Sequence, residues 1–130
     1  MDVAAGATPI RVLIADDHRL FVEALEAILN SSGRMTVVGH ASDGREAVQL
    51  AGELQPDVVL MDIGMPVLDG IEAAQAIRAE RPDACILMLS GSNSRVDVDR
   101  AREAGVAGYV TKDRVAAELI DAIVEIAKPS

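Results

Sequence analysis

The chain has 130 residues and a formal net charge of −9; half of its residues are hydrophobic, yet it has no Trp, one Phe and one Tyr. That length allows one domain with a real core, and the core must be aliphatic. The acidic balance argues against direct nucleic acid binding, which needs clustered Lys and Arg, and no apolar stretch is long enough to span a bilayer.

Residues 1–9 are rich in small side chains and are expected to form a loose tail. They carry no basic residue and no sustained apolar stretch, so they are not read as a signal peptide, and a cytoplasmic location is expected. After them, five apolar runs alternate with helical patterns. The first run is Ile10–Ala15, followed by a helical stripe of Phe21, Ala24, Leu25, Ile28 and Leu29. The second is Met35–Ala41, followed by Ala47, Val48, Ala51 and Leu54. The third is Val58–Met61, followed by Ile71, Ala74 and Ile77. The fourth is Ala84–Leu89, followed by the weakest pattern, Ser94–Ala104, which has many charges and little bulk. The fifth is Val106–Val110, followed by the clearest stripe, Ala116, Leu119, Ile120, Ile123 and Val124. Most of the runs lack clean alternation, as strands buried on both faces do.

Boundary residues agree with this division. Asp43 with Glu46 and Asp69 with Glu72 are cap-like pairs three apart, and Asp113 can cap the last helix. Gly33 and Gly105 stand where helices commonly need a left-handed residue. The lone Cys85 is expected to be a buried small hydrophobe in a reduced compartment. Five βα units predict a doubly wound α/β sandwich with a five-stranded parallel sheet and five helices. Ligands of such folds bind at the carboxyl ends of the strands.

Polar residues cluster at those ends. Asp16 and Asp17 follow the first run, Asp62 the third, Ser90 the fourth and Lys112 the fifth. Taken singly, each has a bland explanation: a turn, a helix cap or a surface lysine. Five at four predicted strand ends argue for one site. Two carboxylates about 4 Å apart repel by roughly 4 kcal/mol at an effective dielectric of ~20. A hard cation with oxygen ligands offsets this. Mg²⁺ takes one or two carboxylates, keeps several waters and accepts a phosphate oxygen. The cluster therefore predicts a cation site beside a phosphoryl site.

The stretches Ile14-Ala15-Asp16-Asp17-His18, Leu60-Met61-Asp62-Ile63-Gly64-Met65-Pro66-Val67-Leu68-Asp69-Gly70, Met88-Leu89-Ser90-Gly91 and Gly108-Tyr109-Val110-Thr111-Lys112-Asp113 resemble those of response-regulator receiver domains. The resemblance covers about residues 10–127 and is closest to the NarL/FixJ-type (LuxR-type) branch of two-component transcriptional regulators. It implies a CheY-like domain with the flavodoxin-like strand order 2-1-3-4-5. It also implies that Asp62 accepts phosphoryl from a sensor histidine kinase. Asp17 and Asp62 would ligate Mg²⁺ (or Mn²⁺) directly, Asp16 through water, and Gly64 by its backbone carbonyl. Ser90 and Lys112 would bind phosphoryl oxygens, and Tyr109 would be the switch aromatic. Homodimerisation on phosphorylation is expected to be the readout. Residues 128–130 would begin a linker to an output domain absent from this chain, unless the receiver stands alone.

Two features depart from the common pattern. Asp113 stands where Pro often follows the lysine, which puts the geometry of the Lys112–Asp113 peptide in question. Gly64 offers no side chain to orient water. His18 opens a helix, where histidine is more often structural than a ligand, and His40 has no visible partner. Three rival readings lose ground on specific residues. A haloacid-dehalogenase-type phosphatase, also Mg²⁺-dependent, needs a second acid at Gly64. A flavodoxin-like cofactor binder would avoid Asp16-Asp17 beside a phosphate. A phosphorylation-independent scaffold would be expected to lack Asp62 or Lys112.

Overall fold

The structure is a computed structural model that describes residues 8–91 and 94–127. The assigned tail, apart from Thr8 and Pro9, and the C-terminal residues 128–130 lie outside the described residues. Five strands, β1 (Ile10–Ala15), β2 (Met35–Ala41), β3 (Val58–Asp62), β4 (Ile86–Ser90) and β5 (Gly108–Thr111), alternate with five helices. These are α1 (Arg19–Ser32), α2 (Gly44–Leu54), α3 (Gly70–Glu80), α4 (Arg95–Glu103) and α5 (Val115–Ala127). All pairings are parallel and the order is β2-β1-β3-β4-β5.

Alternate residues of the central strands feed two cores, as a strand period of two requires. Leu13, Val59, Met61, Ile86 and Met88 face α2, α3 and α4, where Ala47, Ala51, Ile71, Ala74, Ile77 and Ala101 meet them. Val12, Ile14, Leu60, Leu87 and Leu89 face α1 and α5, against Leu25, Leu29, Leu119 and Ile123. Every residue of β3 and β4 is buried, whereas the edge strands β2 and β5 are only partly so. Truncating Leu119 or Ile123 to Ala would cost about 2–5 kcal/mol, because both are fully enclosed.

The expected caps form at two helices. Asp43 accepts from the Glu46 amide at 2.8 Å. Asp69 and Glu72 form a reciprocal capping box. Gly33 and Gly105 have φ of 71° and 84°, and Arg78 packs where a Gly105 side chain would stand. Asp113, expected as a cap, instead lies inside a 3-10 turn, Lys112–Arg114, that leads into α5. No cis peptide occurs among the described residues, so the Lys112–Asp113 bond is trans.

Several expected boundaries move. β3 and β4 extend one residue further, so that Asp62 and Ser90 are strand residues rather than the first residues beyond. β4 starts later because the Ala84 amide closes a turn onto the Arg81 carbonyl. Cys85 is consequently half-buried before the strand, with its thiol 3.5 Å from the Ile126 carbonyl. In α1 the buried stripe is Val22, Leu25 and Leu29, and Ala24 faces solvent. In α5, Val115 is buried and Ala116 is exposed. Small alanines fit either face, so they register helix phase poorly.

Candidate functional site

The site is built from strand ends. The Asp16 amide continues the ladder to the Ala41 carbonyl, which delivers Asp16 and Asp17 at the edge of the sheet. Asp62 is the last residue of β3, and the Ile63 amide still bonds to Leu89. The chain then turns back, and the Gly70 amide reaches the Ile63 carbonyl at 3.0 Å. Gly70 is required there, because a Cβ would stand 2.2 Å from the Asp62 carbonyl oxygen. Ser90 ends β4, buried beside Asp62 in the sheet. Lys112 follows β5 in the 3-10 turn.

These residues converge. The Lys112 ammonium is only 18% exposed and lies 3.1 Å from Asp16 Oδ2 and 3.3 Å from Asp62 Oδ1. It also sits 4.5 Å from the centre of the Phe21 ring, a cation–π contact that holds the charge over α1. Burial raises the pKa of Asp62, and neighbouring Asp16 adds to the rise. Lys112 and a hydrogen bond from the Gly64 amide oppose it. Asp17 is the more open acid. Gly64 lines the cleft in front of Asp62. Tyr109 is half-buried and packs into the core on the α2–α4 side, outside the acid cluster.

The sequence did not single out His18 as part of the cluster. Its Nδ1 lies 2.9 Å from Asp16 Oδ1, 3.4 Å from Asp17 Oδ1 and 3.7 Å from Asp62 Oδ2. It does not cap α1 although it occupies the N-cap position. The available signal was its place directly after two acids. His40 is exposed at the end of β2, away from this group.

The donor set can be tested for a hard cation. Asp16 and Asp62 are buried, and the Oδ2 atom of each has no hydrogen-bond partner. Lys112 gives Asp16 Oδ2 an ion pair without a hydrogen bond. Three carboxylates thus share one ammonium, and the buried Asp62 Oδ2 has no hydrogen bond, a costly state that an oxygen-seeking divalent ion resolves. The residues fit such an ion. The cleft over them is open, about 580 Å³. A second cleft of about 260 Å³ lies at the opposite edge of the sheet, beside Gln55, Asp57, Arg81 and Cys85. There the Asp57 carboxylate already accepts from the Arg11 amide, and no acid cluster converges.

Fold and site together define a doubly wound α/β domain with an acid cluster and a lysine at the carboxyl ends of its strands. The chain belongs to the response regulator receiver domain family, whose model matches residues 12–124. It is 45% identical over 117 residues to the transcriptional regulatory protein LiaR of Bacillus subtilis, covering 88% of this chain and 54% of the relative. Among solved structures it is similar to the signal receiver domain of the putative response regulator NarL from Mycobacterium tuberculosis. That match has a TM-score of 0.89 at 36% identity and covers 94% of this chain and 98% of the other. It is also similar to the receiver domain of sensor histidine kinase PA1611 from Pseudomonas aeruginosa, with a magnesium ion coordinated in its active site cleft. Here the TM-score is 0.83 at 30% identity, with 92% of this chain and 98% of the other covered. The chain spans about half the length of the curated relatives it matches. The order 2-1-3-4-5 is that of the family, and the phosphatase reading gains no support. No helix among the described residues is long and apolar enough to cross a membrane.

Proposed function

We propose that Asp62 is the phosphoryl acceptor of a two-component signalling switch, supplied by a phosphohistidine on a sensor kinase. The observation that carries this reading is the Asp62 carboxylate itself. It is buried at the end of β3, has a raised basicity, faces an open cleft and pairs with Lys112. In the transfer, an Asp62 oxygen forms a bond to phosphorus as the phosphorus–nitrogen bond breaks, and the imidazole leaves with the electron pair. Such transfers depend on positioning and charge neutralisation more than on covalent work by the protein.

A divalent cation, Mg²⁺ or Mn²⁺, held by Asp17, Asp62 and the Gly64 carbonyl, with Asp16 acting through water, would supply neutralising charge at the phosphoryl oxygens. Lys112 exchanges its carboxylate partners for a phosphoryl oxygen. The Ser90 hydroxyl donates to another, drawing the end of β4 inward. Tyr109 pairs with Met88 in the sheet and acts as the switch aromatic when β4 moves. Turnover is confined to the protein's own phosphorylation and dephosphorylation.

Residues 10–127 act as the receiver unit of a longer cytoplasmic transcriptional regulator, a reading supported by its relatives being transcriptional regulatory proteins. This unit does not itself bind DNA. Phosphorylation repacks α4, β5 and α5 and promotes a homodimer; unchanged mass by light scattering after phosphorylation would remove dimerisation from the scheme.

The test of phosphorylation follows intact mass with acetyl phosphate. Addition of one phosphate is expected with Mg²⁺, and none with EDTA or in Asp62→Asn. The absence of any adduct would instead support a phosphorylation-independent scaffold.

A further inference from the structure

His18 carries the inference. His18 occupies the N-cap position of α1, yet its ring makes no bond to the helix amides and lies against the acid cluster. Its backbone amide bonds to Asp16 Oδ1 at 2.8 Å, which holds its Cα close to the acids. The ring then meets a conflict. Nδ1 is 2.9 Å from Asp16 Oδ1 and 3.3 Å from Lys112 Nζ. With a proton on Nδ1 the ring donates to Asp16 but confronts the ammonium with a second N–H. Without one it accepts from Lys112 but turns a lone pair on a carboxylate oxygen. No tautomer satisfies both neighbours. A cation between Nδ1 and the carboxylates takes up the Nδ1 lone pair and balances the acids, and Lys112 keeps its ion pairs to Asp16 Oδ2 and Asp62 Oδ1.

The spacing suits that arrangement. Atoms on adjacent vertices of an octahedral ion with bonds of about 2.1 Å are about 3 Å apart. Nδ1 lies 3.4 and 3.7 Å from one oxygen each of Asp17 and Asp62, the two carboxylates proposed as direct ligands, and 2.9 Å from Asp16 Oδ1. Ligand atoms of all four residues fall within 4.8 Å of one another. Lys112 Nζ lies beside the ring, 3.3 Å from Nδ1, and pairs with the other carboxylate oxygens, Asp16 Oδ2 and Asp62 Oδ1. The ammonium and the imidazole therefore divide the carboxylate oxygens between them. The independent sign of a ligand is Asp62 Oδ2, which is buried, lies on the imidazole side and has no hydrogen bond.

We infer that His18 Nδ1 is a nitrogen ligand of the cation site, making it a mixed nitrogen–oxygen site selective for Mn²⁺, Ni²⁺ or Zn²⁺ over Mg²⁺. This rests on the cation site proposed above. Imidazole is a good donor for the later divalent metals, whereas Mg²⁺ prefers oxygen and gives up water reluctantly. Selectivity is thus set by a side chain that also opens α1.

The experiment uses the untagged full chain, so that its two histidines are the sole imidazoles. Pulsed EPR of the Mn²⁺-loaded protein is compared for wild type, His18→Ala, His18→Asn and His40→Ala. Imidazole ¹⁴N coupling is expected in wild type and His40→Ala and is lost in both His18 variants. Calorimetry with Ni²⁺ and Mg²⁺ is the second measurement. Ni²⁺ affinity is expected to fall at least about tenfold in His18→Ala, with Mg²⁺ affinity within about threefold of wild type. Bound Mn²⁺ without ¹⁴N coupling, coupling that persists in His18→Ala, or equal losses for Ni²⁺ and Mg²⁺ would each overturn the inference and leave an oxygen-only cation site standing. Failure of wild type to bind Mn²⁺ at all would overturn the cation site as well.

Discussion

Gly70 lies directly under Asp62: a methyl group on its Cα would sit 2.2 Å from the Asp62 carbonyl oxygen and 2.8 Å from the Ile63 Cα. Both clashes are with backbone, so no side-chain rotation relieves them. Gly70→Ala is expected to cost about 1–3 kcal/mol and to move the end of β3. Urea denaturation measures the first effect. A drop in acetyl-phosphate labelling of the fraction that remains folded measures the second.

Asp62 weakens the fold at neutral pH in the absence of a cation. Its pKa is raised by burial, then by Asp16, so the folded state binds its proton more tightly than the unfolded chain does. Stability linked to this group is therefore lost as pH rises from the unfolded-state value, roughly 3.9, through the raised folded value. Asp62→Asn removes that penalty. With EDTA present, the variant should melt higher than wild type at pH 7, and the gap should shrink as pH falls toward the unfolded value. A gap that widened on acidification would contradict the assignment.

Lys112→Met separates charge balance from chemistry. Loss of the ammonium beside Asp16 and Asp62 leaves three acids with no counter-charge at that edge. Divalent cation binding should tighten by about fivefold, the equivalent of about 1 kcal/mol for a removed unit charge in a wet cleft. Acetyl-phosphate labelling should fall at the same time, because no cation on the chain then meets the phosphoryl group. Calorimetry and intact mass report the two effects separately.

Val67 holds φ at 70° and is 70% exposed. A β-branched residue in the left-handed region carries strain of about 1–2 kcal/mol, and here its side chain buries little in return. Val67→Gly is expected to raise stability by about 1 kcal/mol. A lower melting temperature would mean that the side chain makes a contact worth more than its strain.

Leu20 is the most exposed large apolar residue of the described chain and lines the cleft in front of Asp62. On the proposed function, a kinase that brings a phosphohistidine to Asp62 would cover that rim, whereas acetyl phosphate would not. Leu20→Ser should slow labelling by a phosphorylated kinase by about fivefold or more, since burying one leucine contributes about 1.5–3 kcal/mol. Labelling by acetyl phosphate should stay unchanged. Equal slowing with both donors would place Leu20 in the site rather than in the docking surface.

The elements legible in the sequence were those with bulk and period. Leu119 and Ile123 phase α5, Leu25 and Leu29 phase α1, and both sets are buried as their spacing requires. The unbroken apolar runs of β3 and β4 became the two fully buried strands. Alanine was uninformative, and so Ala24 and Ala116 were assigned to the wrong face. Asp113 is a sound cap by type, but the 3-10 turn before α5 took it elsewhere. At the site, strand-end position was enough for Asp16, Asp17, Asp62 and Lys112, whose side chains meet within ion-pair distance or through the same imidazole. His18 escaped notice because a histidine that opens a helix reads as structural, and the direction of its ring toward Asp16 is set by side-chain torsions that no spacing rule encodes. The left-handed Val67 was equally hidden, since the residue type argues against the conformation.

Ser90 stands opposite Thr111 in the parallel ladder, and Thr111 is the residue before Lys112. The two groups proposed to bind the phosphoryl oxygens are therefore joined by one strip of amide pairing rather than by a flexible path. A pull on one hydroxyl is shared with the neighbouring strand as a rigid sliding load. The amides at the ends of β4 and β5 should then change their hydrogen-exchange protection together, at a common rate, or not at all.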